Sequence, residues 1–235
     1  MAAHSIRILT LFLASLPALS IAQDREWNWA RSSQNSATGK IAALSYDDEG
    51  NIYAGGSFGP NIISFGENTL TNAGAGTNIF LARFDANGTA QWLRRATSQQ
   101  CLLHSIAADR DGNIYGVGHF FKSITMGEIV LETPSAWSMV IFIMNRKGNY
   151  VWAKNVGESH RVTPSQIRMD QNGDLLVVGS YSCPTVTFDE VTLDRIGVQD
   201  IFIAKYDNHG NVLWARRAGG TGSQSANALT LDPNN

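Results

Sequence analysis

Tryptophans recur along this chain at intervals of 63, 60 and 62 residues, and each carries the same neighbours. The copies are Trp29-Ala-Arg31, Trp92-Leu-Arg94, Trp152-Ala-Lys154 and Trp214-Ala-Arg216. The last three each follow a turn that closes on glycine: Asp85 to Gly88, Asn145 to Gly148, Asp207 to Gly210. A period of that length, with several short strands in each copy, belongs to propellers and solenoids and constrains the fold more than any other feature.

Four strands can be read in each period. Strand A is Ile41 to Tyr46, Leu103 to Ala108, and a third copy ending at Met169. A tight turn at Gly50, Gly112 or Gly173 follows, and then strand B, as in Asn51-Ile-Tyr-Ala-Gly-Gly-Ser-Phe58. Two apolar runs around such a turn predict a hairpin. Strand C, Ile79–Phe84, Met139–Met144 and Ile201–Tyr206, is apolar at both parities and is expected to be buried on both faces. Strand D carries the Trp, with the basic residue two positions on sharing its face. Between B and C, Phe65 to Leu70, Met126 to Leu131 and Phe188 to Leu193 predict a small accessory hairpin. Four antiparallel strands per repeat make a propeller blade. The expected fold is therefore an all-β β-propeller of four-stranded antiparallel blades, present as an incomplete arc of about three blades. Its parts are an outer strand at 24–33, repeats at 38–99, 100–160 and 161–224, and the start of a fourth at 225–235. Strand A, with Ala43, Ser105, Ala107 and Ala228, is placed nearest the axis, and Gly56, Gly118 and Gly179 in strand B predict a bulge or a close backbone approach.

The first 22 residues differ in kind: Arg7 is the only charge, an apolar run extends from Ile8 to Leu19, and Ser20 and Ala22 are small. That is the pattern of a secretory signal peptide, too short to span a bilayer. The mature chain, 23–235, is expected to begin near Gln23 and to be secreted or at the cell surface, with no membrane span after cleavage. The 18 basic and 20 acidic residues of the full chain are too balanced for a nucleic-acid partner. Cys101 and Cys183, the two cysteines, lie at different repeat positions and can bridge in an oxidising compartment only if the fold brings them together.

Chemistry is sparse. His104, His119, His160 and His209 have no metal spacing and stand at unequal repeat positions, which predicts surface or packing roles. Asp109-Arg-Asp111-Gly112-Asn113 looks like a calcium loop, but Ala107 occupies the first ligand position and a turn is the better reading. No catalytic, cofactor-binding or metal residues are assigned, and no cofactor is expected. The enzymatic alternative is a quinoprotein-like dehydrogenase, whose blades carry Asp-x-x-Thr-Gly-x-x-x-Trp; Gly88 to Trp92 and Gly210 to Trp214 match only its second half.

The repeat resembles the bacterial β-propeller repeat family known as SBBP. The parts that carry the resemblance are Asp200-Ile-Phe-Ile-Ala-Lys-Tyr-Asp207, Gly210-Asn-Val-Leu-Trp214, Gly50-Asn-Ile-Tyr53 and Phe65-Gly-Glu-Asn-Thr-Leu70. The second repeat departs most, with Met126 and Asn145 where the others have Phe and Asp. The resemblance implies a secreted or surface-exposed bacterial scaffold with no catalytic residues to carry over. Binding is expected at the face where D→A and B→C connect, through loops 59–77, 121–138 and 182–199, with a protein or carbohydrate ligand. A carbohydrate-binding module stands as a further alternative. The fourth strand A suggests that the remaining blades belong to a longer chain.

Overall fold

The computed structural model describes residues 29–34, 37–156 and 162–232. The leader expected at 1–22, the first part of the outer strand expected at 24–33, and His160 lie outside them.

The protein is an all-β propeller arc of three four-stranded antiparallel blades. Blade 1 consists of β1 (Gly39–Tyr46), β2 (Ile52–Phe58), the accessory hairpin β3 (Asn61–Phe65) and β4 (Asn68–Asn72), β5 (Asn78–Phe84) and β6 (Ala90–Ser98). Blade 2 is β7 (Cys101–Ala108), β8 (Ile114–Met126), β9 (Ile129–Met144) and β10 (Tyr150–Val156). Blade 3 is β11 (Val162–Met169), β12 (Leu175–Tyr181), the hairpin β13 (Thr185–Phe188) and β14 (Val191–Asp194), β15 (Asp200–Tyr206) and β16 (Val212–Ala218). Each blade pairs in the order A-B-C-D. In blade 2 the accessory hairpin is not separate: β8 and β9 run on through it, interrupted only by a register shift between Phe121 and Ser123.

The six A–B and C–D turns share one construction. The side chain of the leading Asp or Asn accepts hydrogen bonds from the backbone N–H groups two and four residues on; Asp109 Oδ1, for instance, takes Asp111 N at 3.0 Å and Asn113 N at 2.8 Å. Asp47, Asp85, Asn145, Asp170 and Asp207 do the same. The closing glycines lie at φ 75 to 84°, a region that costs other residues. The Asp109 loop is therefore a turn, its carboxylate engaged by backbone. Both turn sets lie on one face, since Glu49 of an A–B turn pairs with Arg146 of a C–D turn at 2.7 Å.

Strand A is bulged in every blade, with register shifts between Ile41 and Ala43, Leu103 and Ser105, and Pro164 and Gln166. The bulge drives a strand A carbonyl toward strand B. A Cβ on Gly56, Gly118 or Gly179 would lie 2.0, 2.4 or 2.3 Å from the carbonyl oxygen of Lys40, Leu102 or Thr163. The recurrent glycine is thus explained by both a bulge and a close approach. Gly118→Ala is expected to destabilise the protein by about 2 kcal/mol, the range of core overpacking, read as a shift in the urea midpoint.

Blades pack through apolar faces. Tyr53, Ile79, Leu81 and Trp92 of blade 1 meet Leu103, Ile106, Val140 and Phe142 of blade 2; Tyr115, Met139 and Ile141 of blade 2 meet Ile167, Val177, Phe202 and Tyr206 of blade 3. Strand C is buried at both parities in β5 and along Met139–Met144. β15 departs from that expectation. Phe202, Ala204 and Tyr206 are buried, but Ile201, Ile203 and Lys205 are only half-buried, because no blade covers that face among the described residues.

Strand D holds the next blade at both of its ends. At the turn face, Trp92 Nε1 donates to Arg146 O (3.0 Å) and Arg94 Nε to Gly148 O (3.1 Å). Trp29 Nε1 and Arg31 Nε repeat this on Ala86 O (3.1 Å) and Gly88 O (2.8 Å), and Lys154 Nζ reaches Gly210 O (2.8 Å). The indoles lie on the turn glycines, where a Cβ on Gly88, Gly148 or Gly210 would come within 2.4, 3.1 or 2.6 Å of Trp29, Trp92 or Trp152. At the opposite face, Ala96–Ser98 pair with Ile124–Met126, the accessory segment of blade 2. Gln34 makes the corresponding bridge to Ser64. Of the outer strand expected at 24–33, residues 29–33 form no ladder among the described residues, yet they grip blade 1 as the D strands β6 and β10 grip their neighbours.

Candidate functional site

Strands A crowd the axis as the sequence predicts, and they line a polar cavity of about 400 Å³ that includes Leu44, His104, Ser165, Gln166, Arg168 and Asn227. A second cavity, of about 280 Å³, opens on the loop face between blades 2 and 3. Its blade 2 wall is His119 and Trp137; blade 3 supplies Val162, Thr163, Ser180, Ser182 and Gln199. A larger concavity of about 580 Å³ on the outer rim is lined by Arg94, Gly148 and Tyr150, where strand D meets the next turn, and that packing accounts for it.

The loop-face cavity is built by strand register. Thr163 and Ser180 are cross-strand partners on β11 and β12, so their hydroxyls stand together. Phe121 and Trp137 are partners on β8 and β9. Their rings meet edge to face at 5.3 Å, and Trp137 meets the His119 ring edge to face at 5.0 Å, so two perpendicular neighbours fix the indole. Gln199 is carried by a loop held through the fully buried Asp200, which accepts from Ile196 N at 2.8 Å, Gly197 N at 3.2 Å and Arg217 at 3.2 Å.

One hydrogen bond connects the two cavities. His104 Nε2 and His119 Nδ1 are 2.8 Å apart. His104 is the bulge residue of strand A, and a bulge re-aims its side chain. Burial in this setting favours the neutral imidazoles; His119 is pushed down to about 4 by burial and by His104, and His104 is lowered by burial and by Lys40. Two neutral imidazoles, one donating and one accepting, make a rigid wall rather than a charged site.

The sequence placed binding at the loop face, and Trp137, Ser182 and Gln199 come from two of the expected loops. It missed His119, Val162, Thr163 and Ser180 at strand ends, and it gave the histidines packing or surface roles. The signal was the repeat itself. His119 stands where the sister blades have Ser57 and Ser180, His104 where they have Ala42 and Ser165, and Trp137 where they have Thr77 and Gln199. His209, by contrast, is an exposed turn residue. Cys101 and Cys183 are free, buried thiols in different hydrophobic clusters. No group of three or more His, Cys, Asp or Glu could hold a metal among the described residues.

No family model matches the chain. It is 24% identical over 193 residues to an uncharacterized WD repeat-containing protein, L264, of Acanthamoeba polyphaga mimivirus; that match covers 67% of this chain and 14% of the relative. WD repeats build propeller blades, in keeping with the fold seen here. A solved protein of unknown function from Bacteroides caccae aligns with 77% of this chain and 82% of its own, at 12% identity and a TM-score of 0.28, too slight a likeness to carry an argument.

Proposed function

We propose that this protein is an exported, non-enzymatic propeller scaffold that binds its ligand through the loop-face cavity between blades 2 and 3. The observation that carries the reading is the division of labour among its residues. Those that repeat build the blades and hold neighbouring blades together: Trp29, Trp92 and Trp152 with their basic partners lie on the turn glycines of the next blade, and the strand B glycines admit a strand A carbonyl. Those that break the repeat converge on one concavity, where Trp137, His119 and a set of hydroxyl and amide groups meet. Pockets of this make-up, a few placed polar groups around an aromatic, are the usual form of a ligand site.

The glycines and tryptophans that half-match the quinoprotein pattern are accounted for by the interblade grip, which supports a scaffold over a dehydrogenase. The resemblance to the SBBP repeat and the leader-like first 22 residues support export, and a mature N-terminus at Gln23 in the secreted fraction would bear on it directly. The binding reading is tested by a thermal-shift screen of mixed small molecules, peptides and saccharides. At least one compound raises the melting temperature of the wild type but not of Trp137→Ser. A screen in which no stabilising compound depends on Trp137 would overturn the assignment.

A further inference from the structure

We infer that the ligand taken by the loop-face cavity is a neutral saccharide, with one sugar ring seated against Trp137 and its hydroxyls read by Thr163, Ser180, Ser182 and Gln199. The inference rests on the binding role proposed above and adds the ligand class. Three features of the cavity support it.

The first is the lining. Among the described residues it contains no Lys, Arg, Asp or Glu, and its one titratable group, His119, faces His104 rather than an acid. A phosphate, carboxylate or nucleotide ligand would leave its charge without a partner among these lining residues, at a high desolvation cost. Three hydroxyls and one amide are groups that both donate and accept, which is what the vicinal hydroxyls of a sugar require.

The second is the aromatic. Trp137 is half-buried, belongs to none of the three hydrophobic clusters and is held in orientation by steeply inclined contacts with Phe121 and His119. The C–H face of a pyranose packs on such an indole, and a ring fixed beforehand loses little freedom on binding. The four Trp-x-basic copies cannot serve in this way, because three of them lie against turn glycines and the fourth, Trp214, has the same place in its blade.

The third is size. The cavity holds about 280 Å³, just below the ~300 Å³ at which pockets for drug-sized ligands begin. One sugar ring fits within it, and a second projects outward over the loop face. A longer chain therefore binds by an end or a branch.

The experiment is a titration of the full chain, followed by intrinsic tryptophan fluorescence and calorimetry, with tri- and tetrasaccharides of glucose, N-acetylglucosamine, mannose and galactose. A dipeptide library and inorganic phosphate run in parallel. The expected result is saturable binding of one saccharide series, weakened about tenfold or more by Trp137→Ala, largely restored in Trp137→Phe and unchanged in Trp214→Ala. No saccharide binding up to about 10 mM, on the order of −3 kcal/mol, or binding indifferent to Trp137, overturns the inference. Trp137-dependent binding of a peptide or of phosphate without any saccharide also overturns it, while leaving the loop-face binding role intact.

Discussion

Trp92→Ala lowers the unfolding free energy by about 3–5 kcal/mol, the range for removing a large buried aromatic, whereas Trp214→Ala lowers it by about 1 kcal/mol. The two residues hold the same place in their blades and have the same neighbours in sequence. They differ in what stands opposite. Trp92 is 6% exposed, donates to Arg146 O, covers Gly148 and lies beside Tyr53, with the Arg94 guanidinium 5.8 Å from its ring centre. Removing it opens a cavity between two blades and leaves the turn carbonyl without its donor. Trp214 is half-buried, and Arg216 is exposed with its Nη1 on the Ala215 carbonyl at 3.0 Å, the pose that Arg94 and Arg31 also take on Leu93 and Ala30. No turn faces this pair among the described residues. Chemical denaturation of the two variants, with the slope checked for constancy, measures the difference. Equal losses would mean that the tryptophan acts within its own blade rather than on the next one.

Acidification from pH 7 to about 4 removes on the order of 3 kcal/mol of stability through the histidine pair, the value of a shift from the ordinary 6.5 down to about 4. The direction follows from linkage. Below about pH 6.5 the unfolded chain binds a proton on His119 that the folded protein refuses, so stability is complete above that pH. It declines as pH falls and levels off once folded His119 also titrates, near pH 4. Burial is the main cause, with His104 against the same ring; Lys40 lowers His104 further. The turn carboxylates Asp170 and Asp207 are held below their ordinary range because their backbone and side-chain hydrogen bonds outweigh burial, so they act below this window. The double variant His104→Ala/His119→Ser installs residues that the sister blades carry at these positions. Its unfolding free energy is expected to be nearly flat between pH 6.5 and 4.5 in urea titrations. A slope as steep as that of the wild type would place the dependence elsewhere.

Much of this architecture is legible in the sequence because its causes are local. A turn that needs Asp or Asn first and Gly fourth announces itself, and so does a strand whose residues are apolar at both parities. The strand B glycines could be read as sites of close approach, although which carbonyl approached them could not. What stayed hidden depends on partners 54–57 residues away. The tryptophans were read as packing groups with a cation beside them, while the acceptors of their N–H groups, Ala86 and Arg146, lie in the next blade's turn. The long β8 and β9 were read as separate pieces because the segment between strands B and C reads as an accessory hairpin in every copy, yet in blade 2 the ladder continues through it. His104 and His119 are 15 residues apart, on strands whose pairing was expected. The bulge that brings them together shifts the register by one residue, which alternation alone does not reveal. The departures from the repeat were visible throughout, and their convergence on one cavity needed coordinates.

The division between residues that build the ring and residues that build the site is tested most directly by the unfolding free energy of Trp137→Ala. Trp137 stands where the sister blades have Thr77 and Gln199, lies outside the hydrophobic clusters and makes two edge-to-face contacts. The account predicts a loss of about 1–3 kcal/mol, the worth of two aromatic contacts at about 0.5–1.5 kcal/mol each, and clearly smaller than that of Trp92→Ala. A loss of about 3–5 kcal/mol, equal to that of Trp92→Ala, would make Trp137 part of the frame and contradict its place in a binding site.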